Sequence, residues 1–285
     1  MQTRRSPDGS SPAVGIDWGA TLAKLAVRRP GEALGYRLLP SDDAEACRRA
    51  LAELGATRVG VTGGGADRLV RELPGAVAVN EFAAWGAGAA ALLAENDGGG
   101  EPAQRHLLVS LGTGTSVLLV DGLSVSRIGG TALGGGTLLG LAAGLLGTSD
   151  FEQIVALAKK GSRREVDLLV SDIYRAGGIA LAGDLTAANF GKLAPRLAAG
   201  ERVAPEDLAH ALMGLLGENV ALVCAGLAAA AQVRRIVFGG STLRGNDALV
   251  EITGAITRAL GREPVFLPRV EYAGALGALL LASPP

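Results

Sequence analysis

The sequence has 285 residues, of which 48% are hydrophobic, so it can bury the core of one large domain or of two ordinary ones. Its 27 Lys and Arg are balanced by 28 Asp and Glu, which leaves no basic field for nucleic acid or an anionic membrane. Two cysteines, Cys47 and Cys224, lie in apolar helical patterns, and with two histidines they cannot build a zinc-type cluster. Buried thiols and a cytoplasmic location are expected.

No export or membrane signal is expected either. Residues 1–12 carry two arginines without an apolar stretch behind them, so they are predicted to form a disordered tail rather than a signal peptide. The long apolar run Val220 to Ala231 is shorter than the roughly 20 residues that cross a bilayer.

Residues 13–104 are predicted to form a first α/β domain. Three strands come first, at Val14 to Asp17, Leu22 to Arg28 and Ala33 to Leu39. Ser41 is expected to cap a helix that runs to Leu54. Strand and helix then alternate through RVGVTG, GGADRLVREL, AVAVN and EFAAWGAGAAALLAE, which completes the order βββαβαβα.

Residues 105–285 repeat this order after a charged, glycine-rich break, NDGGGEPAQR. VSLGTGTSVLLV again places a strand, a Gly/Thr turn and a second strand, with Val109 matching Gly15 and Thr115 matching Thr21 at the same offset. SVSRIGG is the third strand, and RIVFGG, a helix, PVFLP and a last helix follow a helical insertion at about 149–232. The repetition predicts a duplicated fold.

A duplicated βββαβαβα unit resembles the actin, sugar-kinase and chaperone-ATPase fold, in which two such domains face each other across a nucleotide cleft. In that group the first hairpin of each domain holds phosphates. The alternative is two unrelated α/β domains whose hairpin turns are merely structural.

The two hairpin turns are candidates for phosphate binding. A turn of small residues presents successive backbone N–H groups to an anion. DWGATLAK adds Asp17, which could hold Mg²⁺ through water, and Lys24 as a point charge, while GTGTS adds the hydroxyls of Thr113, Thr115 and Ser116. Taken singly, Asp17 could only cap a turn and Lys24 could point to solvent.

The stretch SRIGGTALGGGTLLGL begins at Ser126 and contains Arg127, and glycines, which have no side chain, follow Arg127 at positions 129, 130 and 134–136. Gly134 to Gly136 precede an apolar helix, where free amides and the helix dipole favour an anion. A close helix crossing is the other interpretation, and it suits Gly140 and Gly144. In FGGSTLRGN, Gly240 with Gly239 offers bare backbone to a purine, although such a pair is most often a turn.

Glu81 is the most informative acid. It follows the strand AVAVN and opens a helix that carries no other charge until Glu95. Its carboxylate could be an ordinary helix N-terminal charge or a general base at the strand ends where α/β sheets bind ligands.

The motifs VGIDWGATLAKLAV, VTGGGA, NEF, SLGTGTS, RIGGTALGGGTLLGL, GDLTAANFG, FGGSTLR and EYAGALGALL occur in the order of the type II pantothenate kinases, which the chain resembles from about Val14 to Leu281. The resemblance implies transfer of phosphate from ATP, with Mg²⁺, to pantothenate, the first step of coenzyme A synthesis, by a homodimer. Coenzyme A or acyl-coenzyme A is a candidate regulator.

Site residues follow from the resemblance motif by motif. Contacts with ATP and Mg²⁺ are implied for Asp17, Gly19, Ala20, Thr21, Lys24, Thr113, Gly135, Gly136, Thr137, Leu138 and Leu139, and contacts with the nucleoside for Phe151 and Ser241. Glu81 matches the catalytic base and Arg127 the active-site arginine, expected to bind the pantothenate carboxylate or the transferring phosphoryl group. Ser116, Thr186 and Ala187 fall in segments that hold pantothenate, the last two across the dimer.

Two departures from the family pattern leave alternatives open. Ala20 replaces the second glycine of D-x-G-G-T, where it could crowd the phosphate or strain the turn, and Ala83 replaces an acid two residues after Glu81. The alternatives are another kinase or activator ATPase of the superfamily, for instance one acting on an amino sugar, and a nucleotide- or coenzyme-A-binding regulator without turnover.

Overall fold

The computed structural model describes residues 11–96, 105–122, 124–174 and 185–282. These residues pack into two compact units. Unit 1 takes its described residues from the ranges Met1–Gln104, Val120–Ser126 and Leu267–Pro285, and unit 2 from Arg105–Leu119 and Arg127–Phe266.

The first sheet has five strands in the order β3-β2-β1-β4-β5. The strands are β1 (Ala13–Trp18), β2 (Leu22–Arg28), β3 (Gly35–Pro40), β4 (Arg58–Thr62) and β5 (Ala76–Ala78). β1 pairs antiparallel with β2 and parallel with β4, and all six of its residues are buried. A strand buried on both faces is continuously apolar, which explains the run AVGI before Asp17.

The described part of unit 1 contains the helices α1 (Ala44–Leu54), α2 (Ala66–Glu72), α3 (Glu81–Asn96) and α10 (Ala273–Leu281). The N-cap of α1 is Asp43, whose carboxylate accepts a hydrogen bond from the amide of Ala46 at 2.7 Å. The expected cap at Ser41 is therefore wrong by two residues, because the Asp43 carboxylate is in reach of the first-turn amides.

The second sheet repeats the topology of the first. Its strands are β6 (His106–Leu111), β7 (Thr115–Asp121), β8 (Ser124–Thr131), β11 (Arg235–Gly239) and β12 (Glu263–Phe266). They lie in the order β8-β7-β6-β11-β12, so each sheet places its third, second, first, fourth and fifth strands in the same sequence. The duplicated fold is confirmed, and two unrelated domains are excluded.

Between β8 and β12, unit 2 is mainly helical. Its helices are α4 (Gly135–Leu146), α5 (Phe151–Ala158), α6 (Val170–Ile173), α7 (Leu193–Ala198), α8 (Pro205–Ala230) and α9 (Asp247–Ala259), and β9 (Leu168–Leu169) pairs antiparallel with β10 (Thr186–Ala188). The apolar core of the unit gathers side chains from β6, β11, α8 and α9, including Phe238, Leu212 and Leu249.

Helix α8 is longer than the apolar run Val220 to Ala231 suggested. Among the described residues it is the one helix long and apolar enough to cross a membrane by length and composition, so the expectation that no such segment exists is corrected. However, 67% of its most apolar 18-residue window is buried inside the protein, as is typical of a core helix.

The C-terminal helix α10 packs in unit 1 although it ends the second repeat. It crosses the strands where Gly15 of β1 and Gly60 of β4 leave no side chain, since a Cβ on either would run into the backbone of Ala275 or Ala278. Gly88 of α3 makes the same close approach to Ala273. The predicted boundaries of the two repeats, at 13–104 and 105–285 with an insertion at about 149–232, stay predictions.

Candidate active site

The first hairpin brings Asp17 and Lys24 together. They are direct partners in the antiparallel pair of β1 and β2, and Lys24 Nζ lies 3.4 Å from Asp17 Oδ2. Both side chains are buried, with 10% of Lys24 and 5% of Asp17 exposed, so Lys24 does not point to solvent. Burial raises the pKa of Asp17, and the charge of Lys24 opposes that rise.

Glycines from two other segments enclose the Asp17 carboxylate. Gly63, at the end of β4, has a φ of +93°, and a Cβ there would lie 2.6 Å from Asp17 Oδ1. A Cβ on Gly274, at the start of α10, would lie 2.9 Å from Asp17 Oδ2 and 2.9 Å from Trp85 Nε1. The motifs VTGGGA and EYAGALGALL contain Gly63 and Gly274, but nothing in the sequence around them indicates that either lies against Asp17.

Glu81 begins α3 and is coupled to the same pair. Asn80 already caps this helix, because its Oδ1 accepts hydrogen bonds from the amides of Phe82 and Ala83 at 3.1 Å each. The Glu81 side chain is open to solvent, yet the surrounding protein removes part of its hydration and raises its pKa. The negative charge of Asp17 raises this pKa further, and Lys24 lowers it. Asn80 therefore supplies the cap of α3, and Glu81 interacts electrostatically with Asp17 and Lys24.

Ala20 causes no backbone strain in the hairpin turn. Gly19 closes the turn by donating its amide to the carbonyl of Leu22 at 3.2 Å. Among the described residues other than glycine, only Phe190, Gln232 and Arg269 have positive φ. Of the two effects considered for Ala20, backbone strain is therefore absent, and its side chain, like that of Thr21, is exposed.

In unit 2 the second hairpin turn packs against the start of α4. The amide of Gly135 donates to the carbonyl of Gly112 at 2.8 Å, and the amide of Gly136 donates to that of Thr113 at 2.9 Å. Helix α4 begins at Gly135, so only Gly134 of the three glycines precedes it. The expected free amides at Gly135 and Gly136 are therefore wrong, because both hold the hairpin.

Close approach explains why all three residues are glycine. A Cβ on Gly134 would lie 2.6 Å from the carbonyl oxygen of Thr113, and one on Gly136 would lie 2.9 Å from Thr113 Cγ2. Thr137 bonds the carbonyl of Ala132 through its hydroxyl, while Leu138 is buried and Leu139 packs on the core. Direct contact of the Leu138 side chain with a nucleotide does not fit its burial, whereas the contact predicted for the partly buried Leu139 stays a prediction.

Arg127 and Ser116 meet at Gly130. A Cβ on Gly130 would lie 2.8 Å from Arg127 Nη2 and 3.4 Å from the Cα of Ser116, on neighbouring strands β8 and β7. Gly130 has a φ of +157°. Its missing side chain therefore leaves room for the guanidinium of Arg127, which is exposed.

Each of the two residues expected to contact the nucleoside, Phe151 and Ser241, begins a helical element. Phe151 begins α5 and packs partly against the core, while Ser241 begins a 3₁₀ turn. Gly240 has a φ of +113° and approaches the backbone of Leu111, so its glycine is required by the turn itself. Thr242 follows and donates its hydroxyl to the carbonyl of Gly112 at 2.9 Å, which ties this turn to the second hairpin.

Thr186 and Ala187 lie in the short strand β10. Arg163 Nη1 donates to the hydroxyl of Thr186 at 2.6 Å, and Ala187 is exposed. Gly183 and Asp184 of the motif GDLTAANFG lie outside the described residues. Sequence reasoning did not find Arg163.

Known proteins resemble this chain along most of its length. The profile of the family described as Fumble matches residues 100–281. The type II pantothenate kinase of Bacillus cereus (strain G9842) is 34% identical over 276 residues, which cover 95% of this chain and 98% of the relative. The chain belongs to the type II pantothenate kinase family. The Bacillus anthracis member is 33% identical over 276 residues, covering 95% and 97%.

Solved structures agree on the fold. Component A of the Acidaminococcus fermentans (R)-2-hydroxyglutaryl-CoA dehydratase is 19% identical, covers 96% of this chain and 98% of its own, and superposes with a TM-score of 0.63. The fold is thus that of the actin-like ATPases and sugar kinases. As a type II pantothenate kinase by family, the chain is a kinase that acts on a small molecule.

Proposed function

We propose that this chain transfers the γ-phosphoryl group of ATP to the 4′-hydroxyl of pantothenate, the first step of coenzyme A biosynthesis. The observation that carries the proposal is the coupling of Glu81 to Asp17 and Lys24 in unit 1. A carboxylate of raised pKa beside a buried carboxylate and ammonium suits a group that accepts a proton next to a phosphate site. Family membership supplies the substrate.

In the proposed reaction, Glu81 accepts the proton of the pantothenate hydroxyl as its oxygen bonds to the γ-phosphorus. The bond from that phosphorus to the bridging oxygen breaks, and ADP leaves with the bonding pair. Little covalent work is asked of the protein in phosphoryl transfer, so positioning and charge stabilisation dominate. The raised pKa of Glu81 makes it a stronger base than an ordinary carboxylate.

Asp17 and Lys24 fit a site for Mg²⁺ and phosphate. The described residues contain no cluster of three or more His, Cys, Asp or Glu side chains that could hold a metal directly. Mg²⁺ keeps most of its waters and commonly needs only one or two carboxylates plus phosphate oxygens, so a single buried Asp17 fits it through water. Bound there, Mg²⁺ supplies charge neutralisation for the phosphates.

In this proposal the turn at Thr113, held by the start of α4, contributes to phosphate binding, and Ser241 and Phe151 contribute to nucleoside binding. Arg127 binds the pantothenate carboxylate or the transferring phosphoryl group beside Ser116, using the space that Gly130 leaves.

The test compares Glu81→Gln with Glu95→Gln, a matched change in the same helix at an exposed position. Glu81→Gln is expected to lower kcat about 10²- to 10⁴-fold with ATP affinity retained, as is usual for loss of a general base. Glu95→Gln keeps wild-type kinetics. Wild-type turnover of an amino sugar in place of pantothenate, or ATP binding without any turnover, contradicts the proposal.

We further propose that the enzyme is a cytoplasmic homodimer regulated by coenzyme A or its thioesters. Support for the dimer is an apolar surface on α4 and α8, which pack together, where Leu141, Leu145 and Leu222 are 38%, 39% and 48% exposed. Leu222→Glu is expected to give monomers in sedimentation analysis, whereas Leu197→Glu, on exposed α7, leaves the dimer intact. Acetyl-coenzyme A added to the assay tests regulation.

A further inference from the structure

A buried group of charges in unit 2 has no part in the function described so far. Arg163 Nη1 lies 2.8 Å from Glu218 Oε1 and 3.7 Å from Asp167 Oδ2. The side chains of Asp167 and Glu218 are 0% and 5% exposed, and that of Arg163 is 13% exposed. Glu218 is buried in the middle of α8, where a carboxylate is costly unless it is paired.

All three charged side chains bond to one short piece of chain, residues 185–192, which we term the substrate segment. Arg163 Nη1 donates to the hydroxyl of Thr186 at 2.6 Å, and the Thr186 amide donates to Glu218 Oε1 at 3.3 Å. The amide of Phe190 donates to Asp167 Oδ1 at 2.8 Å. The ion group therefore holds both ends of the sequence TAANF.

The substrate segment needs these hydrogen bonds because one of its residues, Phe190, has an unfavourable backbone conformation. Phe190 has a φ of +58°, a conformation that a bulky residue rarely adopts without support from its surroundings. Asn219, next to Glu218 on α8, adds a hydrogen bond from Nδ2 to Asn189 Oδ1 at 3.2 Å. Ala187 and Ala188, between the anchored residues, are exposed.

Stability alone does not account for this arrangement. A buried ion group is often no more stabilising than apolar side chains of the same volume, whereas it fixes geometry through directional bonds. Here the bonds converge on Thr186 and Phe190 and leave the surface of Ala187 open.

We propose that Arg163, aligned by Glu218 and Asp167, is a positioning residue that fixes Thr186 and Ala187 for pantothenate. The inference rests on the proposed function, in which these two residues contact that substrate. Arg163 touches neither substrate nor ATP; it acts through the Thr186 hydroxyl. Its removal displaces the substrate segment and weakens pantothenate binding selectively.

The experiment uses Arg163→Met, Arg163→Lys and, as matched control, Arg196→Met, which removes a more exposed arginine paired with Glu201 at 2.7 Å. Arg163→Met is expected to raise KM for pantothenate about 10- to 100-fold, with KM for ATP changed less than about 2-fold. Arg163→Lys recovers part of the loss because it keeps the positive charge and one donor nitrogen. The control keeps both KM values.

Thr186→Val covers the case in which Arg163→Met does not fold, because it removes only the hydroxyl that Arg163 holds. Thr186→Val is expected to raise KM for pantothenate as well. Where the double variant Arg163→Met/Thr186→Val folds, its KM for pantothenate should be no higher than that of the more affected single variant, since both changes remove the same contact. Hydrogen exchange of the 185–192 amides should quicken in the Arg163 variants and not in the control.

The outcomes separate the two claims. If the wild type phosphorylates pantothenate but the Arg163 and Thr186 variants keep its KM, or raise KM for both substrates alike, this inference is overturned and the proposed function stands. Unchanged exchange of residues 185–192 in Arg163→Met also overturns it. If the wild type does not phosphorylate pantothenate, the proposed function fails and the inference fails with it.

Discussion

Substituting Gly63 by alanine should damage both stability and catalysis, whereas the same change at Gly64 should do neither. At Gly63 the φ of +93° penalises any side chain, and the new Cβ would lie 2.6 Å from Asp17 Oδ1 and 2.7 Å from the carbonyl oxygen of Trp18. At Gly64 nothing lies within 4 Å of the added Cβ, and φ is not in the left-handed region. The two neighbours therefore form a matched pair.

The expected magnitude follows from two terms. Alanine forced into positive φ costs about 1 kcal/mol, and overpacking against backbone adds about 1 to 3 kcal/mol, so Gly63→Ala should lose about 2 to 4 kcal/mol. For a chain of this size the thermal midpoint should fall by about 5 to 15 °C. Since Asp17 must move, kcat should also fall. Gly64→Ala should stay within about 0.5 kcal/mol of wild type.

Urea unfolding followed by circular dichroism gives the stability difference, and a coupled assay of ADP release gives kcat on the same samples. Equal behaviour of the two variants would refute the reasoning, because it would mean that the Asp17 carboxylate does not rest against Gly63. A stable Gly63→Ala with low kcat would confine the effect to the site.

Three further predictions concern titratable groups. Lys24→Met leaves Asp17 buried and unpaired, so the free energy of unfolding should drop by about 3 to 5 kcal/mol at neutral pH. The pKa of Asp17 in the folded protein then rises further above its unfolded value of about 4, so the loss of stability should grow as the pH rises from the unfolded pKa towards the folded one. Urea midpoints at several pH values would show this. Glu81 must be deprotonated to act. Partial loss of hydration and the charge of Asp17 raise its pKa, so kcat should fall as the pH drops through a value above the pKa of an ordinary glutamate. A pH profile of kcat that is unchanged in Glu81→Gln would oppose its role. Burial raises the pKa of Cys47 to about 11 and that of Cys224 to about 12, so Ellman's reagent should titrate both thiols only after denaturation, and fast reaction of the native protein would contradict their burial.

Local sequence patterns predicted much of the fold. The two hairpins, their repetition in the second half of the chain and the start of α3 at Glu81 follow from apolar alternation and turn residues, which act over a few positions. Even the pairing of Asp17 with Lys24 follows once the turn between β1 and β2 is placed, because a tight hairpin fixes register.

The sequence did not predict the contacts between residues that lie far apart in the chain. Nothing near Gly274 shows that it will lie against Asp17, since α10 reaches unit 1 from the far end of the chain. Arg163 and Glu218 are 55 positions apart, on different elements, so neither predicts the other. The amides of Gly135 and Gly136 looked free from sequence because their carbonyl partners lie on another turn.

The most direct test of the account is the reaction itself. Purified wild-type protein, ATP and Mg²⁺ should convert pantothenate to a product whose phosphorus, by ³¹P NMR, is coupled to the 4′-methylene protons, with kcat/KM far above that for any amino sugar offered. A product phosphorylated elsewhere, or ADP release that is indifferent to pantothenate, would contradict it.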